Sequence, residues 1–432
     1  MKIYRLKELS KQDIHNICLR QLADDGSIKE RVSTIVNQVK QQGDAALKAF
    51  SLQFDKVDLT KLYLDKTELA EIAAGIPGTV KAAIDTAYSN IKRFHEAQIH
   101  KEAAIETMPG VTCWRETRAI ERVGLYIPGG TAVLPSTFLM LGIPAILAGC
   151  KEIIVCSPPQ HDGKTNSFLA YCAMLLGIEK IYLAGGAQAI AAMAYGTESI
   201  PKVDKIFGPG NRYVTQAKQL IQGTTLTAID MPAGPSEVLV LADETANPSY
   251  VASDLLAQAE HGTDSQSILV ATSSRIIEET LVELRRQLAL LPRKAIAEKA
   301  INNSYAVLVD DLKAGIDFSN NYAPEHLIIA TSSYQAVVPL IVNAGSVFLG
   351  NLTPESAGDY ASGTNHTLPT SGYAKAYSGV SIDSFVKKIT FQLIDKTGLN
   401  HIGNTVETLA EAEGLQAHRN AITIRLNTEN GY

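Results

Sequence analysis

From about residue 110 onward, short β-rich runs alternate with helices of small apolar residues, and that alternation limits the possible folds most. Runs at 122–127, 152–156, 180–183 and 203–207 are separated by helical stretches at 135–149, 166–177 and 187–195, with another at 211–222. A second series begins at Glu237, with runs at 238–241, 267–271, 306–309, 327–330 and 347–349. Helical periodicity fills 248–260, 275–290 and 334–343 between them. A strand–helix alternation every ~25–30 residues predicts parallel sheets with helices on their faces. Two α/β halves are the simplest parse. The first hundred residues read as mostly helical, through Ile28, Val32, Ile35, Val36 and Val39 and then Val80, Ile84, Ala87, Ile91 and Phe94. Residues 351–380 read as a loop rich in Gly, Ser, Thr and Pro, followed by a helical tail.

Composition narrows the class further. Of 432 residues, 46% are hydrophobic and 19% charged, too apolar for disorder and enough for several cores. A net charge of −6 argues against a nucleic-acid or anionic-membrane footprint. The longest apolar stretch, 138–150, is interrupted by Pro144 and falls short of the ~20 residues that span a bilayer. No secretory leader is visible at the N-terminus. Five cysteines without C-x-x-C spacing make a disulfide framework or a Cys-based zinc site a poor reading. A cytoplasmic protein is expected.

Several constellations carry chemistry. Gln258 and His261 are three apart at the end of a helix capped by Asn247 and terminated by Gly262, so they share a face. They make either half of a metal site or a capping histidine beside a solvated glutamine, and glutamine is a poor zinc ligand by base rate. Glu325 and His326 stand at the mouth of an apolar strand and form a workable acid–base pair. Neighbours in a strand point to opposite sides, so both reach one substrate only if Pro324 breaks the pleat. Otherwise they merely close the strand. Asp359 and His366 lie among glycines that aim side chains, or else in a solvated loop. Glu407, Glu411, Glu413 and His418 sit on the helical tail, where a solvated face is the simpler reading.

Three glycine turns follow successive strands: Tyr126-Ile-Pro-Gly129-Gly130, Gly185-Gly186-Ala-Gln188 and Gly208-Pro-Gly210-Asn211. None is a dinucleotide fingerprint or a Walker A, and each alone could be a structural turn. Together they would line one sheet edge, where helix N-termini hold anions or nucleotides.

These residues fall together in one family. The strings GLYIPGG (124–130), AGGAQAIAA (184–192), GPGN (208–211), AGPSE (233–237), QAEHG (258–262), APEHL (323–327) and GDYASGTNHTLPT (358–370) resemble histidinol dehydrogenase. The resemblance covers essentially the whole chain. It implies zinc held by Gln258, His261, Asp359 and His418, with glutamine as a ligand after all. It implies Glu325 and His326 as the acid–base pair, and Tyr126, Gln188 and Asn211 facing NAD. Ser236, His366 and Glu413 would hold the substrate, together with His326 and the zinc ligands. The implied fold is α/β, with two incomplete Rossmann-like parallel-sheet domains and small helical N- and C-terminal segments. The expected boundaries are an N-terminal segment 1–24, a first α/β domain of 25–104 with 234–380, a second of 105–233, and a tail 381–432. That tail is expected to be swapped in a homodimer.

The implied reaction takes L-histidinol through bound L-histidinal to L-histidine with two NAD+ and zinc, the final step of histidine biosynthesis. Zinc would chiefly orient the substrate rather than activate a water. A cysteine thiohemiacetal is the rival covalent route, but Cys113, Cys150, Cys156 and Cys172 lie outside every matched string. A zinc hydrolase built on the same ligands would have no use for the glycine turns. A two-lobed small-molecule binding protein would share the paired α/β halves without turnover.

Overall fold

The computed structural model describes residues 1–20, 26–129, 134–232 and 234–427. They form two compact units, 1–98 with 120–385, and 99–119 with 386–432.

The larger unit contains two six-stranded sheets of matching topology. In the first, the strand order is Lys2–Arg5, Tyr305–Leu308, Gln266–Ala271, Glu237–Ala242, His326–Ala330 and Ser346–Leu349, all parallel. The second runs Tyr63–Asp65, Lys180–Leu183, Glu152–Ser157, Arg122–Tyr126, Lys205–Phe207 and Ala228–Ile229. Only its edge strand Tyr63–Asp65 is antiparallel. Apart from the added edge strands Lys2–Arg5 and Tyr63–Asp65, each sheet winds outward both ways from the first of its remaining strands, Glu237–Ala242 in one and Arg122–Tyr126 in the other. The order therefore reverses beside Glu237–Ala242 in one sheet and beside Arg122–Tyr126 in the other.

Parallel strands covered on both faces read as continuous apolar runs, and Glu237–Ala242 is buried throughout. Its alternation still sorts the core: Val238, Val240 and Ala242 pack on one face, Leu239 and Leu241 on the other. The expected helices appear, including Pro248–Ala259, whose Asn247 Oδ1 accepts from the Ser249 amide at 2.9 Å.

Three boundaries differ from expectation. Residues 26–98 pack with the second sheet rather than the first, through Val32, Val36, Ile84 and Ile91 and the edge strand Tyr63–Asp65. Lys2–Arg5 is an edge strand of the first sheet instead of a separate segment. The tail is not wholly helical: Val386–Ile394 pairs antiparallel with Val111–Ala119, which also pairs with Ile105–Met108. That three-stranded sheet and the helices Lys396–Ala412 and Gln416–Leu426 make up the smaller unit, so 105–119 leave the second α/β half.

Candidate active site

In the first sheet, the chemistry-bearing residues gather at the amino ends of two neighbouring strands. Val238 and His326 are paired in register. By alternation His326 faces the same side as Ile328, toward the ring of Phe348 at 5.9 Å between centroids. Its Nδ1 lies 3.1 Å from the carbonyl of Glu237. Nδ1–H therefore donates there, and Nε2 is the nitrogen left to exchange a proton.

Glu325 reaches the same spot from outside the strand. Ala323 adopts a left-handed conformation (φ 53°), and Pro324 follows, so the chain turns before the pleat begins. The Glu325 carboxylate accepts from the Glu237 amide at 2.8 Å and stands 3.6 Å from His326 Nδ1. The objection that neighbours diverge is thereby removed, because only His326 belongs to the strand.

Residues expected to lie in a loop form a short helix, Glu355–Tyr360. Glu355 and Asp359 are four apart and share its inner face. Glu355 Oε1 is 3.8 Å from His326 Nδ1, and Asp359 Oδ1 is 3.4 Å from Nε2. Gln258, fully buried, donates its amide to Glu355 and accepts from the Glu237 amide at 2.6 Å. His261 lies one turn further on, an exposed residue whose imidazole is nonetheless held below its usual range by burial. His366 is fixed between two partners: Nδ1 donates to the Asp359 carbonyl at 2.9 Å, and Nε2 accepts from Thr137 at 2.8 Å. Burial holds its imidazole below the ordinary range.

Burial also pushes the Glu325 carboxyl up to about 8 and Glu355 well above the carboxylate range. For His326, burial works against the charge, but Glu355, Glu325 and Asp359 outweigh it and hold the imidazole well above its usual value. Asp359 is held low despite burial by its contact with His326.

The second sheet contributes its carboxyl edge, the edge at which doubly wound sheets bind ligands. Tyr126 ends its first strand; the buried hydroxyl accepts from the Gly186 amide at 3.0 Å, and burial pushes the phenol up to about 12. Gln188 is buried in the next turn, and Asn211 caps the helix Arg212–Thr224 by accepting from the Tyr213 and Val214 amides. A Cβ on Gly208 (φ +127°) would fall 2.1 Å from the Tyr126 carbonyl, so only glycine fits there. Gly130 and Ala233 lie outside the described residues. A cleft of about 80 Å³ joins the two sheets, lined by Gly208 and Gly210 from one and by Ser236, Glu325 and His366 from the other.

A family model for histidinol dehydrogenase matches residues 19–426. The chain belongs to the histidinol dehydrogenase family. The chain is 54% identical to histidinol dehydrogenase of Bacteroides thetaiotaomicron over 423 residues, covering 98% of this chain and 99% of that one. It is 52% identical to the chloroplastic histidinol dehydrogenase of Arabidopsis thaliana, covering 99% of this chain and 91% of the relative. The crystal structure of histidinol dehydrogenase from Elizabethkingia anophelis superposes with a TM-score of 0.96 at 51% identity, covering 100% of this chain and 99% of that one. The chain is thus an NAD-dependent oxidoreductase of a family that catalyses the final step of histidine biosynthesis. The hydrolase and binding-protein readings give way to it.

Glu413 and His418 lie on the smaller unit, both exposed. Three residues of the larger unit escaped the sequence reading: Glu355, Glu237 and Arg20. The spacing of Glu355 to Asp359 was a usable signal, and Glu237 ends the AGPSE string. Arg20 offered none. Among the described residues, no helix is long and apolar enough to cross a membrane.

Proposed function

We propose that this chain oxidises L-histidinol through bound L-histidinal to L-histidine, consuming two NAD+ and one water. The observation that carries this reading is the convergence of Glu325 and Asp359 on His326, with Glu325 also lining the cleft that takes in the glycine turn Gly208–Gly210.

Zinc fits the residues present. One ligand atom each of His326, Glu355 and Asp359 lies within 4.8 Å of the others, and His326 Nε2 and Glu355 Oε2 are buried without a hydrogen-bond partner. Gln258 and His261 add the mixed nitrogen and oxygen donors that zinc accepts. Gln258, His261 and Asp359 would hold the ion, with His418 supplied by the tail of a second copy in a homodimer. Bound there, zinc would supply a template that orients the substrate. Tyr126, Gln188 and Asn211 would hold NAD+, which would supply the hydride acceptor for each oxidation.

The chain's own residues handle protons and position. His326 takes the hydroxyl proton at Nε2, since Nδ1–H is committed to the Glu237 carbonyl. Ser236, His366 and the partner tail's Glu413 hold the substrate, and the aldehyde stays bound. Glu325 removes a proton from the attacking water while protonated His326 returns its proton to the carbonyl oxygen, giving a gem-diol. His326, neutral again, then takes a proton from the gem-diol as the second hydride leaves. The free thiols Cys18, Cys113, Cys150, Cys156 and Cys172 fit a reducing compartment, the cytoplasm in this reading. The test is to count NADH formed per histidinol consumed: about two supports the four-electron reaction, and about one with histidinal accumulating overturns it.

A further inference from the structure

The face of the first sheet opposite His326 carries a buried ion pair that the mechanism above leaves unused. Glu237 begins the strand Glu237–Ala242, and its side chain points away from Val238, to the far side of the sheet. Glu237 is 1% exposed, and its carboxylate takes two parallel bonds from Arg20, Nε to Oε1 at 2.7 Å and Nη2 to Oε2 at 2.8 Å. The Ser371 amide adds a third bond at 3.0 Å. Arg20 is itself fixed, donating to the carbonyls of Tyr322 at 2.6 Å and Cys18 at 3.2 Å, with its guanidinium 3.4 Å from the centre of the Tyr322 ring.

Burying two charges is costly, and an apolar pair of similar volume often serves stability as well. The peptide of Glu237 supplies a reason for this pair. Its N–H holds the Glu325 carboxylate at 2.8 Å, and its C=O holds His326 Nδ1 at 3.1 Å. One residue therefore sets both members of the acid–base pair. Glu237 is the first residue of its strand, and on its N-terminal side the ladder adds one bond, from the Gln266 amide to the Ser236 carbonyl at 3.1 Å. The side chain is a further handle on that peptide.

We propose that Arg20 is a positioning residue: through Glu237 it clamps the peptide that aims Glu325 and His326 at the substrate. This rests on the reading of those two as the acid–base pair. A misplacement of about 1 Å at reacting groups costs on the order of 10²-fold in rate, and such a slip is what loss of the clamp would permit.

The experiment compares Arg20→Ala and Arg20→Lys in the full chain, with histidinol and with histidinal as substrates. Arg20→Ala is expected to lose about 10²-fold in kcat for both oxidations. KM for histidinol and NAD should stay within about threefold, since Arg20 bonds the far face of the sheet and does not line the cleft. Millimolar guanidinium should restore about tenfold or more of the lost kcat by refilling the fork against Glu237. Arg20→Lys keeps a cation but not the parallel bonds, so its kcat should be intermediate. A loss confined to KM, a kcat within about threefold of wild type, or a kcat loss that guanidinium leaves untouched would each overturn the proposal. Should the alanine variant fail to fold, the lysine variant decides alone: kcat equal to wild type overturns the clamp, and reduced kcat with unchanged KM supports it. A wild type that makes no histidine refutes the functional reading itself. An active wild type with an unimpaired variant refutes only this inference.

Discussion

His326 stands among three carboxyl groups at the amino end of one strand, and the placement of protons there decides what each group does. Glu325 is the one whose role separates from the rest. Alcohol oxidation needs a base for the hydroxyl, which His326 supplies; hydration of the aldehyde needs the carboxylate. Glu325→Gln should therefore still interconvert histidinol and histidinal while losing histidine formation, by about 10²–10⁴-fold. His326→Asn should damage both steps, and equal damage to both in Glu325→Gln would refute the division. Burial pushes the Glu325 carboxyl up to about 8, so the base form is scarce below that pH and grows as pH rises. Histidinal oxidation should climb toward a plateau above about pH 8, and a plateau already complete at about pH 6 would contradict the assignment. The cysteines are the counter-case. Cys156 and Cys172 are buried, with thiols pushed above their usual range, and Cys113 and Cys150 are half-buried. Cys113→Ala and Cys150→Ala should keep substantial turnover, and loss of the second oxidation alone would revive a covalent adduct. The residue types of the acid–base pair were legible in the sequence. That they converge was not, because the turn at Ala323 is a backbone conformation that no residue there announces.

At the scale of elements, the turn Gly208–Gly210 depends on a buried brace. Lys218 Nζ contacts the Asp230 carboxylate and donates to the Gly208 carbonyl at 3.0 Å; Asp230 in turn accepts from the Gly208 amide at 2.9 Å. Both side chains are almost fully buried. Removing one partner strands the other's charge, which costs about 3–5 kcal/mol. Lys218→Met should lower stability by that order, seen in denaturant melts, and raise KM for NAD more than KM for histidinol. Equal KM changes for both would show that the turn does not serve the nucleotide side. Such elements divide sharply in legibility. The strands of the parallel sheets were readable as apolar runs, because burial on both faces leaves no other composition. Val386–Ile394 was not: it is largely exposed, and its partner Val111–Ala119 lies far away in sequence. Helical periodicity placed Gly26–Gln42 and Gly78–Glu96 as helices, yet nothing in an amphipathic stripe says which of two sheets it will cover.

At the scale of the whole molecule, the site and the cores are separable. The packing that holds both sheets is apolar, and the polar cluster sits at the sheet edges. Removing zinc should therefore abolish turnover while leaving the circular-dichroism spectrum and cooperative melt largely intact. Full activity after exhaustive chelation, with zinc shown absent, would sink the metal reading. The assembly prediction turns on His418, which stands exposed on the helix Gln416–Leu426 of the smaller unit, while Gln258, His261 and Asp359 belong to the larger one. In the proposed homodimer the tail completes the neighbouring copy's site, as in a swapped two-fold arrangement. Two inactive variants, His261→Asn and His418→Asn, distinguish the cases after dissociation and reassociation together. With tails exchanged, each hybrid dimer holds one doubly damaged site and one intact site. Random reassociation makes half of the dimers hybrids, so activity should return to about a quarter of wild type. With each tail serving its own chain, every site keeps one lesion, and mixing restores nothing. Hybrid dimers that form without activity would assign His418 to its own subunit.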